Sequence, residues 1–137
     1  MNDLIVQKIV SLQRCVSRAR DARDRAGDDF DQDFDLQDVA VLNVLRACEL
    51  GIDLANMLIR QQTLGVPAES RESFAILRRE GILERDLAEK LQKMVGFRNI
   101  AVHQYRDLEI KIVHSVIDSD LDDLLGFAEI VRRAQPT

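Results

Sequence analysis

The sequence has no tryptophan, one tyrosine and five phenylalanines in 137 residues. So few aromatic rings cannot build a platform on which successive nucleic-acid bases stack, so any contact with a single strand must go through its backbone. Glycine (six) and proline (two) are scarce, which leaves few breakers and favours long helices. The only cysteines, Cys15 and Cys48, lie inside helical patterns without a C-x-x-C spacing. No disulfide, redox pair or metal site is expected of them, and both read as small buried hydrophobes. No apolar run approaches the roughly 18 to 20 residues that a membrane span needs, and MNDLIVQKIV lacks the layout of a signal peptide. A cytoplasmic protein with no membrane partner is expected. A positive excess is missing too: the net charge is -5 and the pI about 5.0, which argues against a general nucleic-acid binder coated with basic residues. A local basic cleft is still compatible with that balance.

What is present is 46% hydrophobic and 31% charged, with the signs interspersed and no repeat or low-complexity tract. That is the makeup of one globular domain spanning residues 1–137. Fifteen of the nineteen basic residues are arginine, the cation that forks onto phosphates and carboxylates, although a GC-rich genome gives the same bias.

Apolar residues then set the elements. Ile5, Ile9, Leu12, Val16 and Ala19 recur at three and four, one face of a helix from Leu4 to about Asp24. GDDFDQDFDLQD, residues 27–38, reads as an acidic loop whose last acids suit the start of the next helix. It lacks the ligand order of a calcium loop, so no metal is expected there. A second helix runs from about Leu36 to Gln61, with Val39, Leu42, Leu45, Ala47, Leu50, Leu54, Met57 and Leu58 as its apolar band. Arg46, Glu49, Asp53 and Asn56 form a polar stripe along it. Ser70 reads as the N-cap of a short helix through about Arg79 that Gly81 closes. A fourth helix starts near Glu84 or Asp86 and directs Leu87, Leu91, Met94, Val95, Ala101 and Val102 to the core. A last one carries Ile110, Val113, Ile117, Leu121, Leu124, Phe127 and Val131. About five helices with short connections predict an all-α, up-and-down bundle.

The chemistry gathers at the end of the fourth helix, in FRNIAVHQYRD, residues 97–107. At 100° per residue, Tyr105 returns to within about 20° of Arg98, whereas His103 lies about 140° away. Either the helix ends near Val102, or a second subunit completes the site. An arginine on a buried stripe needs a partner, and Asp53 or Glu49 of the second helix would serve. On physics alone these residues could be structural: Arg98 salt-bridged, His103 at a helix C-terminus, Tyr105 packed with its hydroxyl bonded. His114, on the last helix, reads as a surface or interface residue rather than a catalytic one.

Arg98, Asn99, His103 and Tyr105 form the pattern R-N-x-x-x-H-x-Y at the end of a long helix. This pattern, with LRACELGIDLANMLIR in the second helix, resembles the HEPN superfamily, specifically the HepT-like toxins. The resemblance implies a homodimer in which two R-x-x-x-x-H motifs face each other across a cleft. It also implies a metal-independent endoribonuclease that needs no cofactor, acting as the toxin of a type VII-like toxin–antitoxin pair. Its partner would be an MNT-type nucleotidyltransferase antitoxin that silences it by transferring AMP onto Tyr105. Arg98 would bind the scissile phosphate, Asn99 would orient the phosphate or the histidine, and His103 would serve as general acid or base. Asp53 or Glu49 would be the supporting acid. Attack by the ribose 2′-OH would leave a 2′,3′-cyclic phosphate and restrict the substrate to RNA, to the exclusion of DNA. The competing expectation is a catalytically silent helical module that binds a nucleotidyltransferase or a nucleotide, which the acidic balance favours slightly.

Overall fold

The computed structural model describes residues 2–103 and 108–136, and among them the regular elements are all helical, with no strand. Helix α1 spans Asp3–Ala26, a 3-10 turn Gly27–Asp29, α2 Phe34–Gln61, α3 Ser70–Arg79 and α4 Arg85–His103. The last rod consists of α5 Ile110–Ser115, a π turn Val116–Asp120 and α6 Leu121–Arg133 in unbroken succession. Five helical rods therefore make the bundle, as the sequence predicts.

Helix α1 begins where Asn2 Oδ1 accepts the Leu4 and Ile5 amides at 2.9 and 3.3 Å, satisfying donors the first turn leaves orphaned. It ends at Gly27, whose φ of 55° suits a residue without a Cβ. Ile5, Ile9, Leu12, Val16 and Ala19 are all buried, mainly against α2, its principal packing partner. The acidic loop is shorter than residues 27–38. Phe30 plugs into the core, and Asp33 caps α2 by accepting the Leu36 amide at 3.0 Å, so the helix starts at Phe34.

Three further expectations need correction. Val39 and Leu42 are 44% and 48% exposed, and Val102 is 57% exposed. The buried face of α2 is instead formed by residues such as Ala40, Val44, Ala47, Ile52, Leu54 and Leu58, because α1, α3 and α6 all pack around it. Ser70 is not the N-cap of α3: Glu69 occupies that position and Ser70 is the first helical residue. The carboxylate of Glu72 reaches back to the Ala68 amide at 2.8 Å and takes over a donor near the helix start. The Ser70 hydroxyl is thereby left for another partner.

Rods are tied by polar contacts at their margins. Lys8 pairs with Asp53 at 3.1 Å, Arg20 with Asp122 at 2.7 Å, and Arg23 with Asp118. Inside the bundle, Phe74 and Phe127 meet edge to face at 5.5 Å, and the Ser73 hydroxyl donates to Asn56 Oδ1. Among the described residues no helix is long and apolar enough to cross a membrane.

Candidate functional site

The described part of helix α4 ends at His103, one residue past the Val102 end that the sequence allows. Its last turns carry every described member of the motif. Phe97 and Ala101 anchor that stretch in the core, while Asn99, Ile100, Val102 and His103 are exposed. Tyr105 lies outside the described residues.

Arg98 sits at the border between core and solvent, its side chain 19% exposed. Its Nη1 donates to Glu49 Oε1 on α2 at 2.5 Å, and its Nη2 donates to Ser70 Oγ on α3 at 3.3 Å. The guanidinium is thus held from two directions by two other helices. Among the described residues its Nε is buried without a hydrogen-bond partner, so that N–H donor has no acceptor there.

Of the two acids the sequence left open, the structure brings Glu49 to Arg98. Asp53, one turn further along α2, pairs with Lys8 instead, because α1 crosses α2 on that side. Glu49 remains half exposed, which gives solvent or a ligand access to the pair. Beneath it, burial pushes the Cys48 thiol up to about 12, with the Glu49 charge adding to the rise. Cys48 is a packed, protonated hydrophobe, and Cys15 is likewise a free buried thiol.

Beside Glu49 opens a mostly apolar groove of about 410 Å³, walled by Cys15, Leu45, Leu50 and Val102, with Arg46 and Asp53 at its rim. On a regular helix His103 lies about 140° around from Arg98, and it is exposed whereas the Arg98 side chain is mostly buried.

Two residues find roles that the sequence reading did not assign. Ser70 holds Arg98, and nothing local reveals this, since the contact joins residues 28 apart. His114 is tethered: its Nε2 lies 2.9 Å from Asp31 Oδ1 and its ring packs edge-on to Phe30 at 5.1 Å, pinning the acidic loop to α5. Among the described residues no three His, Cys, Asp or Glu side chains cluster so as to hold a metal ion.

Residues 12–131 match the model of the family described as "Ribonuclease HepT-like". The chain is 43% identical over 132 residues to the mRNA nuclease HepT of Shewanella oneidensis, covering 96% of this chain and 98% of that protein. It is 33% identical over 90 residues to a putative RNase of Archaeoglobus fulgidus, covering 65% and 67%. Among solved structures, the tri-AMPylated Shewanella oneidensis HEPN toxin in complex with MNT antitoxin superposes with a TM-score of 0.91. The two are 42% identical, and the match covers 97% of this chain and 99% of that one. A toxin–antitoxin structure with AMP-PNP gives 0.89 at the same identity, covering 96% and 99%.

Proposed function

The chain belongs to the HepT-like ribonuclease family, and from that premise we propose that it is the toxin of a toxin–antitoxin pair: a metal-independent endoribonuclease whose active site forms between two copies of the chain. The observation that carries this reading is the posture of the motif on α4. Arg98 is held by Glu49 and Ser70, while His103, five residues on, faces solvent from another side of the same helix. Two such helices meeting across a dyad would bring the Arg98 of one protomer toward the His103 of the other. The apolar groove beside Glu49 and the exposed Ile100 and Val102 give this end of the molecule a surface suited to a second copy.

In that cleft the scissile phosphate of an RNA strand lies against the Arg98 guanidinium, which Glu49 keeps from swinging away. One His103 takes the proton of the ribose 2′-OH as the oxygen attacks phosphorus. The P–O5′ bond breaks, and the symmetry-related histidine returns a proton to the leaving 5′-oxygen. Arg98 stabilises charge that builds on the non-bridging oxygens. Asn99, exposed beside Arg98, orients the phosphate or the imidazole. The product is a 2′,3′-cyclic phosphate, and DNA is not a substrate because it has no nucleophile at that position.

The regulating partner is an MNT-type nucleotidyltransferase that adds AMP to Tyr105. The similarity to a tri-AMPylated HEPN toxin in complex with MNT antitoxin, and to a toxin–antitoxin structure with AMP-PNP, supports this. An added nucleotide two positions from His103 brings negative charge and bulk to the place the RNA backbone must occupy. The protein works in the cytoplasm, where its RNA substrate and its partner are found.

Mixed dimers test the composite site. Arg98→Ala and His103→Ala homodimers are each expected to be inactive on RNA, and a dimer of one with the other to recover measurable cleavage. Failure of the mixture to cleave, with dimer assembly verified, would overturn the shared site. For the regulation, the intact mass of the protein incubated with the antitoxin and ATP should rise by whole AMP increments, and Tyr105→Phe should abolish the rise.

A further inference from the structure

Arg71 is the residue next to Ser70, and its position is unusual for this chain. Most of the arginines around it are matched by carboxylates: Arg78 and Arg85 with Glu89, Arg79 with Glu80, Arg98 with Glu49. Arg71 has no carboxylate within ion-pairing distance among the described residues, although its side chain is exposed at the first turn of α3. Its guanidinium lies over α4 at Gly96, where Nη2 would be 2.7 Å from a Cβ if the glycine had one. The backbone below it is stapled down, since Gln92 Nε2 donates to the Arg71 carbonyl at 3.0 Å. Lys93, on the next turn of α4, flanks the same shallow depression; the Glu89 there is engaged first by Arg85, and Lys93 acts on Glu89 and Asp120 only through longer-range attraction.

We propose that Arg71 and Lys93 form a second phosphate subsite, which binds a backbone phosphate of the RNA other than the scissile one. The inference rests on the ribonuclease reading for the identity of the polyanion, but not for the geometry. Ser70 joins the two subsites physically: its hydroxyl holds Arg98, and its neighbour Arg71 carries the free fork. In a chain with net charge -5, an RNA strand must be captured by a few focused cations against an unfavourable overall field. An arginine already neutralised by a carboxylate contributes little to that capture, whereas Arg71 is available to fork onto a phosphate. Gly96 is what lets the guanidinium settle against α4 rather than wave in solvent. A glycine in the interior of a helix otherwise costs stability relative to alanine.

The test is equilibrium binding of the full-length protein to a single-stranded 2′-O-methyl RNA, which cannot be cleaved because it lacks the nucleophilic hydroxyl, measured across a salt series. Arg71→Ala should bind about tenfold more weakly at low salt, and the slope of log K against log salt should flatten by about 0.7 for the one lost contact. Gly96→Ala keeps the arginine but displaces it; the side chain is flexible and exposed, so the fold is retained while affinity falls in the same direction. Arg60→Ala, the same charge removed from the far end of α2, serves as the control and should leave the slope unchanged. Wild-type-like binding and slope in Arg71→Ala would overturn the subsite, as would equal losses in Arg60→Ala. So would a wild type that does not bind the probe. Cleavage of unmodified RNA by the wild type, followed in parallel, reports on the ribonuclease reading separately, so the two can fail independently.

Discussion

Removing the carboxylate at position 49 strikes the contact that distinguishes Arg98 from an ordinary surface arginine. In Glu49→Ala, Nη1 loses its acceptor while Nε has none among the described residues, so a side chain only 19% exposed keeps, among those residues, just the Ser70 contact. A hydrogen bond to a charged group contributes about 1.5 to 3 kcal/mol when well buried, and an exposed ion pair about 0 to 1. With Arg98 mostly buried and Glu49 half exposed to screening water, the loss should fall between, at about 1 to 2 kcal/mol. For a domain of this size that lowers the melting temperature by about 3 to 8 °C, read by differential scanning calorimetry. Glu49→Gln keeps an oxygen acceptor for Nη1 without the charge, and should lose about half as much. A guanidinium free to swing no longer meets the scissile phosphate, so cleavage by Glu49→Ala should drop by about ten- to a hundredfold, with Glu49→Gln between it and the wild type. A Glu49→Ala protein that melts with the wild type and cleaves at the wild-type rate would refute the idea that this carboxylate holds the arginine. Equal losses in Asp53→Ala would assign the holding role to the wrong acid.

Two further outcomes concern the body of the fold. Gly51→Ala puts a Cβ 2.7 Å from Cδ2 of Leu124, a fully buried side chain that must shift to admit it. The overpacking of about 1 to 3 kcal/mol outweighs the roughly 1 kcal/mol gained in helix propensity, and urea titration should show a lower midpoint with an unchanged slope. The Cys48 thiol, raised to about 12 by burial, stays protonated around neutral pH. A maleimide or disulfide reagent should therefore leave Cys48 unmodified in the native protein, by peptide mapping, and modify it on unfolding.

Much of this architecture was legible because helix periodicity is a local property. The face Ile5, Ile9, Leu12, Val16 and Ala19 is buried as read, and so is the run Ile117, Leu121, Leu124, Phe127 and Val131 of the last rod. Local periodicity cannot say which side of a helix its neighbours will cover when more than one side is apolar. Val39 and Leu42 were assigned to the core of α2, yet α1, α3 and α6 pack elsewhere on it and leave both exposed. Val102 failed for the same reason at the open end of α4. The π turn at Val116–Asp120 leaves no mark on the apolar spacing strong enough to read. At the site, the need for an acid near Arg98 followed from the cost of burying a charge, and the two candidates on the α2 stripe were the right ones to weigh. Deciding between them required the path of α1, which brings Lys8 to Asp53 and frees Glu49 for Arg98. Ser70 carries a local signal for helix capping, but its hydroxyl serves Arg98, 28 residues away.

The most direct test is to incubate the purified protein with single-stranded RNA in excess EDTA, and to determine the chemistry of the new 3′ ends by mass spectrometry. The expected result is cleavage that leaves 2′,3′-cyclic phosphates, reduced by at least a hundredfold in His103→Ala, as loss of a general acid or base requires. Cleavage that appears only on adding a divalent cation, or that continues undiminished without His103, would contradict it.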